Sequence, residues 1–122
     1  MRRSWLLLGL LVLAACTSSA PAQVTPVAPA EYDALASQAD VTVIDVHTPR
    51  QEQLANTDYV IRYDELEQIQ QAIPAKDARV LIYCRSGSMS EEVTQQLIQA
   101  GYSNVYELDG GRNNYVHWQT TQ

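Results

Sequence analysis

The chain has 122 residues, 46% of them hydrophobic, which is enough for one small globular domain with a single core. Its 14 acidic and 8 basic residues give a formal net charge of −6. This charge argues against a nucleic-acid partner and against electrostatic binding to an anionic membrane surface. The sequence has no internal repeat and no cluster with metal-ligand spacing, so we predict neither a metal site nor a cofactor.

The first residues have the pattern of an export signal. Arg2 and Arg3 precede an apolar run over residues 5–13, which is too short to span a bilayer. The run ends in Leu13-Ala14-Ala15-Cys16, which resembles the lipobox of bacterial lipoproteins. The resemblance implies cleavage before Cys16 and a lipid on its sulfur. An ordinary secretory peptide with an incidental cysteine is the alternative.

This reading divides the chain into three parts. Residues 1–15 are the signal peptide, and residues 16–30 are the lipidated Cys16 and a disordered tether rich in Pro, Ala and Ser. The folded domain is predicted over residues 31–122. Since Thr17 rather than Asp follows the anchor, the resemblance implies the outer membrane rather than the inner one, with the domain facing the periplasm.

Within residues 31–122 the pattern alternates between strands and helices. The predicted strands are 41–46, 59–61, 80–83 and 105–108. The predicted helices are 31–39, 64–73, one that starts at Ser88 or Ser90 and ends before Gly101, and 113–119. Two of the strands, 41–46 and 80–83, are apolar on both faces, which is typical of buried parallel strands. We therefore expect an α/β fold: an open, mainly parallel sheet of four to five strands flanked by helices.

The chemistry is predicted at Cys84, which lies between strand 80–83 and the next helix. Ligands of open α/β sheets bind at the carboxyl ends of strands. Gly87 lets the backbone turn so that N–H groups point inward, and the helix N-terminus adds its positive dipole end. Such a cradle stabilises a thiolate. Arg85 adds a cation, and hydroxyl donors come from Ser86, Ser88 and Ser90. Ser88 and Glu91 also have the spacing of a capping box.

The chain has two cysteines. If Cys16 is lipidated, Cys84 has no disulfide partner within the chain. The space outside the inner membrane is oxidising, so an unpaired thiol there is expected to be buried or used. A buried structural cysteine is the alternative interpretation of Cys84.

The run Cys84-Arg85-Ser86-Gly87-Ser88-Met89-Ser90 resembles the active-site loop of the rhodanese family. Residues 43–49, 63–66 and 101–111 and Trp118 resemble other blocks of that family in the same order, so the resemblance covers about residues 31–119. It implies a single-domain, rhodanese-like sulfurtransferase without a cofactor. The Cys84 thiolate would take sulfur from a thiosulfate-like anion, form a persulfide and pass the sulfur to cyanide or a thiol.

The resemblance also implies roles for the neighbouring residues. The substrate-binding loop comprises Arg85, Ser86, Gly87, Ser88, Met89 and Ser90. Asp45 and His47, at the end of strand 41–46, are expected to give structural support. The sequence leaves the oligomeric state open.

Three departures from the family pattern keep an alternative open. Met89 and His47 stand where arginines are common, and residues 54–58 replace a longer stretch. A rhodanese-like binding or redox-sensing module at the cell envelope, with little turnover, is therefore the second hypothesis. Phosphatases with a related fold place an arginine six positions after the cysteine. That position is Ser90 here, so phosphate transfer is disfavoured.

Overall fold

The computed structural model describes residues 9–12 and 21–122. Cys16 and the predicted cleavage site lie outside the described residues, so the lipid anchor stays a prediction. In the part of the chain that is described, no helix has the length and hydropathy needed to cross a bilayer.

The described chain contains five strands and four helices. The strands are β1 Thr25–Val27, β2 Val41–Asp45, β3 Tyr59–Val60, β4 Arg79–Tyr83 and β5 Asn104–Leu108. The helices are α1 Pro29–Ala36, α2 Leu66–Ala72, α3 Ser88–Gln99 and α4 Gly111–Thr120. The strands form one parallel sheet in the order β1-β5-β4-β2-β3. The predicted fold class is therefore confirmed.

The sheet has a core on each face. On one face, side chains of β2, β4 and β5 pack with α2 and α3, represented by Ile69 and Val93. On the other, Tyr32 of α1 and Tyr115 of α4 pack over the same strands. Side chains of β4 alternate between the two cores because successive residues of a strand point to opposite faces. Cys84, just after β4, belongs to the α2–α3 side.

The start of the folded domain differs from the predicted boundary at residue 31. β1 pairs with residues 106–108 of β5, and the buried Val27 accepts a 2.9 Å hydrogen bond from the N–H of Asp109. Pro26 is tolerated because β1 is an edge strand. Pro29 occupies the first turn of α1, where its missing N–H costs nothing. The prolines that predicted a disordered tether are thus compatible with ordered structure from residue 25.

Candidate active site

Cys84 lies at the centre of the sheet's carboxyl edge. It directly follows β4, which has β5 on one side and β2 on the other. Residues 80–83 are fully buried, and Cys84 itself is 1% exposed. The strand therefore fixes the position of the sulfur, and the following turn leads directly into α3.

The Cys84 sulfur is surrounded by hydrogen-bond partners from its own loop. The backbone N–H of Gly87 donates to Sγ at 3.1 Å, and that of Ser90 at 3.4 Å. Sγ also lies 3.4 Å from the hydroxyl oxygen of Ser90. Both N–H groups belong to the start of α3, where the helix dipole is positive. This arrangement stabilises negative charge on the sulfur.

Gly87 makes this geometry accessible. It precedes α3 as its N-cap with a φ of 113°, a left-handed conformation that glycine adopts without strain. The N-cap is Gly87, which has no side chain, so the capping box predicted for Ser88 and Glu91 is wrong. The physical reason is that the first turn directs its N–H groups at the Cys84 sulfur rather than at a capping oxygen.

The three loop serines are not equivalent. Ser90 is completely buried, and its hydroxyl donates to the Gly87 carbonyl oxygen at 3.1 Å. Ser86 and Ser88 are exposed, and Met89 is half-buried against the core cluster that contains Cys84. Of the three predicted hydroxyl donors, only that of Ser90 contacts the sulfur.

Arg85 contributes to the site through its backbone as well as its charge. Its side chain is exposed, with Nε 3.5 Å from the Gln51 amide oxygen. The carbonyls of Cys84 and Arg85 accept 2.9 Å hydrogen bonds from the N–H groups of Arg112 and Asn113. The N-terminus of α4 thereby fixes the backbone of the Cys84 loop.

Gly111 is essential to this support. A Cβ atom there would stand 2.8 Å from the Cys84 carbonyl oxygen and 2.7 Å from the Arg85 carbonyl group, which is closer than real contacts allow. Gly110 and Gly111 form the turn from β5 into α4. Its signal in the sequence is two glycines directly after a strand, but the contact depends on the tertiary fold.

Asp45 supports the neighbouring loop at the end of β2. Its buried carboxylate accepts hydrogen bonds from the His47 N–H at 2.9 Å and from the Gln51 side-chain amide at 3.2 Å. Burial raises the pKa of Asp45, while these hydrogen bonds oppose the shift. His47 Nδ1 lies 2.6 Å from the Pro49 carbonyl oxygen and must be the donor, because a carbonyl only accepts. The contacts of both residues hold the loop that follows β2.

The comparisons with known proteins assign a family. The family model "Rhodanese-like domain" matches residues 28–117. The chain belongs to the rhodanese-like domain family. A sulfurtransferase of Allochromatium vinosum is 37% identical over 83 residues, covering 63% of this chain and 73% of that protein. A solved structure described as an E. coli rhodanese with anions is 31% identical, with a TM-score of 0.53, and covers 61% of this chain and 89% of that chain.

Larger proteins also match this rhodanese-like domain. A protein of Teredinibacter turnerae named tRNA uridine(34) hydroxylase is 32% identical over 99 residues. The match covers 75% of this chain but only 31% of that protein. The chain thus spans about a third of the length of this relative.

The short segment 54–58 of the rhodanese-like domain is firmly packed. Tyr83 accepts a 3.0 Å hydrogen bond from the Leu54 N–H, and its hydroxyl lies 2.7 Å from Thr57 Oγ1. Asp58 accepts from the Val43 N–H at 2.8 Å. Burial raises the pKa of Tyr83 to about 12, so its hydroxyl stays protonated and available to Thr57.

Gln51 and Arg112 also contact the site but were missed by the sequence analysis. Gln51 joins Asp45 to Arg85, so it links the loops that follow β2 and β4. Arg112 pairs with Glu52 at 3.2 Å, linking α4 to the first of these loops. Neither polar residue lies in a distinctive local pattern, since its partner is distant along the chain. Across residues 9–12 and 21–122, no group of three or more His, Cys, Asp or Glu side chains is arranged to hold a metal ion.

Proposed function

We propose that this rhodanese-like domain is a sulfurtransferase that carries sulfane sulfur as a persulfide on Cys84. The observation that carries the proposal is the pair of N–H donors, from Gly87 and Ser90, within 3.4 Å of the Cys84 sulfur at a helix N-terminus. Fixed donors of this kind stabilise a thiolate before reaction and persulfide charge after it. The 37% identity to a sulfurtransferase supports the same reaction class.

The reaction has two displacement steps. In the first, the Cys84 thiolate attacks the outer sulfur of a thiosulfate-like donor, an S–S bond forms on Cys84, and the donor's S–S bond breaks. With thiosulfate, sulfite leaves with the electron pair of the broken bond. In the second step, cyanide or a thiolate attacks the outer sulfur, and the Cys84 thiolate leaves. No external oxidant or reductant is needed, and splitting the transfer into two steps is ordinary nucleophilic catalysis.

Intact-mass spectrometry tests the persulfide directly. Incubation of residues 21–122 with thiosulfate, and separately with a glutathione persulfide, is expected to add about 32 Da, the mass of one sulfur atom held covalently by the nucleophile. Cyanide should remove the added mass and release thiocyanate. Cys84→Ser is the control and should gain nothing. The absence of any adduct with both donors would reject the proposed function.

A binding or redox-sensing module is the second candidate, and one observation favours it. Cys84 is only 1% exposed, and the half-buried Met89 packs in the same core cluster. A shielded thiol suits slow sensing better than rapid turnover. A Met89→Arg variant with high thiosulfate activity beside a nearly inactive parent would support the module. Efficient turnover by the parent chain would exclude it.

We also propose that Cys16 anchors the domain to a bacterial envelope membrane, on its periplasmic side and with the outer membrane favoured. The proposal is supported by the small residues before Cys16 and by an ordered domain that begins at Thr25. Residues 17–24 can span at most about 28 Å, so the domain would stay close to the lipid surface. Metabolic labelling of the full chain with a radioactive fatty acid should mark the protein, and Cys16→Ser should abolish the label. An unlabelled parent chain would reject the anchor.

A further inference from the structure

Two arginine side chains connect the loop after β2 to the backbone around Cys84. The backbone N–H of Arg112 donates to the Cys84 carbonyl oxygen at 2.9 Å, and Arg85 directly follows Cys84 in the chain. The two side chains end on consecutive residues of the loop after β2. Arg85 Nε lies 3.5 Å from Gln51 Oε1, and Arg112 Nη2 lies 3.2 Å from Glu52 Oε2. Two guanidinium groups therefore reach the same loop from backbone that adjoins the reacting residue.

The hydrogen-bonding capacity of Arg112 is only partly used. Its Nε atom is buried and has no hydrogen-bond partner within residues 9–12 and 21–122. A guanidinium group has five N–H donors in a planar fork that matches two oxygens of one oxyanion. The carboxylate that Arg112 contacts belongs to Glu52, whose side chain is 86% exposed, so this ion pair contributes little to stability. Another oxyanion can therefore replace Glu52 at a small cost in free energy.

The contacts of these two arginines leave positive charge in excess. Gln51 is neutral, and its amide nitrogen donates to Asp45, so Arg85 receives only the amide oxygen. Two guanidinium groups thus share contacts with one exposed carboxylate, that of Glu52. The chain as a whole is acidic, with a formal net charge of −6. A local excess of positive charge concentrates anions, and here it adjoins Cys84.

We propose that Arg112 is a substrate-binding residue that, together with Arg85, holds the oxyanion group of the incoming sulfur donor, and that Glu52 occupies this position until the donor displaces it. The donors that fit are compounds whose transferable sulfur is bonded to an oxyanion group, such as thiosulfonates. The displaced Glu52 side chain turns into solvent, and no covalent bond changes in this step. The inference deepens the proposed function and rests on it, because the bound donor is the one that Cys84 attacks.

The charge preference of Cys84 alkylation tests this assignment. Iodoacetate and iodoacetamide alkylate the same sulfur and lose iodide, but only iodoacetate carries a carboxylate of the kind that Glu52 presents. Both rates are measured on the full chain at the Cys84 peptide by mass spectrometry. Arg112→Gln should lower the ratio of the iodoacetate rate to the iodoacetamide rate about threefold at low salt. Glu52→Gln should raise this ratio about threefold, because it vacates Arg112, and both effects should shrink at high salt.

A second ion pair at the same sheet edge provides matched controls. Arg62 and Asp64 follow β3, lie 2.9 Å apart and are both exposed, and their charges bond to each other rather than to the Cys84 loop. Arg62→Gln and Asp64→Asn make the same changes of charge as the two test variants and should leave the ratio unchanged. Equal changes in the test and control variants would overturn the proposal, because they would show only the overall field of the protein.

A double-mutant cycle decides whether Glu52 acts through Arg112. In an Arg112→Gln background, Glu52→Gln should no longer raise the ratio, and effects that add would overturn the proposal. If Arg112→Gln does not fold, the exposed Glu52→Gln decides, because an unchanged ratio would overturn the proposal equally.

Inorganic sulfate probes the oxyanion site without any reaction. At constant ionic strength it should slow the alkylation of Cys84 by iodoacetamide in the parent chain, and Arg112→Gln should require about threefold more sulfate for the same effect. No slowing in the parent chain would overturn the proposal. Neither measurement needs a sulfur donor. A missing persulfide with intact charge preference would therefore reject the proposed function alone, and a persulfide without charge preference would reject this inference alone.

Discussion

The loops after β2 and β4 lie side by side at the same sheet edge, and each donates N–H groups to a side chain at the end of its strand. Asp45, the last residue of β2, is in register with Tyr83, the last residue of β4, and Cys84 follows one position later. The side chains of Asp45 and Cys84 each accept an N–H from the loop that comes next. After β2 the acceptor is the Asp45 carboxylate, bound by His47 and Gln51. After β4 it is the Cys84 sulfur, bound by the N–H groups of Gly87 and Ser90.

The difference lies in what supplies the donors. Asp45 accepts from one backbone N–H, that of His47, and from the side-chain amide of Gln51, and both donors lie in the loop after β2. The donors at Cys84 are backbone groups at the start of α3, fixed in place by a helix and backed by α4. At the carboxyl end of β2 the acceptor is thus held by a loop, whereas at the end of β4 it is held by the N-terminus of a helix.

Disrupting the contact between the Cys84 loop and the start of α4 should have the largest effect on the free energy of unfolding. Gly111→Ala places a Cβ against two backbone carbonyl groups at a φ of 63°, so the loop and α4 must separate. We expect a loss of about 3 kcal/mol in the free energy of unfolding. Urea denaturation measures it, and the alkylation rate of Cys84 should fall in the remaining folded protein.

Gly101→Ala is the matched control for that substitution. Gly101 has a φ of 96° but open space where the Cβ would stand, so only backbone strain is added. Its expected cost is about 1 kcal/mol. Equal losses in the two variants would show that contact with the Cys84 loop does not matter.

Removing the Asp45 contacts after β2 should lower the free energy of unfolding by less than Gly111→Ala does. It should leave the reactivity of Cys84 unchanged. Asp45→Ala removes the acceptor of the buried His47 N–H and of the Gln51 amide, for an expected loss of about 2 kcal/mol in unfolding free energy. The alkylation rate of Cys84 by iodoacetamide should remain near that of the parent chain. A large drop in that rate would mean that the two loops act as one unit.

The ionisation of Asp45 gives a smaller, pH-dependent effect. Because burial raises its pKa, the folded protein holds this proton more tightly than the unfolded chain does. The resulting stabilisation is present below the unfolded pKa of about 3.9 and is lost as the pH rises through the folded value. Urea midpoints between pH 3 and pH 8 should therefore fall less steeply in Asp45→Asn than in the parent chain. Parallel curves would contradict the raised pKa.

The elements that could be predicted from the sequence are those determined by residues close together in the chain. Val80 to Tyr83 is an unbroken apolar run, and the Ser- and Gly-containing turn after it indicates both the helix and the reactive position of Cys84. The structure agrees on β4, α3 and the fold class, because a strand buried on both faces needs layers of structure on both sides.

Features that depend on distant partners were not predictable. β1 is a strand because β5 binds it about eighty residues later, whereas its prolines alone indicate a flexible tether. Glu107 was predicted only as one residue of a strand, and the pairing of β4 with β5 is what places it opposite Ile82, two residues before Cys84. The predicted capping box is absent because N–H groups at the start of α3 donate to the Cys84 sulfur instead.

Arg85→Ala should have the smallest effect. It should show whether the charge of Arg85 acts on the incoming reagent or on the Cys84 sulfur. The side chain is exposed and has one long hydrogen bond to Gln51, so we expect the stability to change by less than about 0.5 kcal/mol. Iodoacetamide and iodoacetate react with the same atom and differ in charge. The rate with neutral iodoacetamide should not change, whereas the rate with anionic iodoacetate should fall about threefold at low salt and less at high salt. Equal changes with both reagents would mean that Arg85 acts on the Cys84 sulfur itself rather than on the charge of the incoming donor.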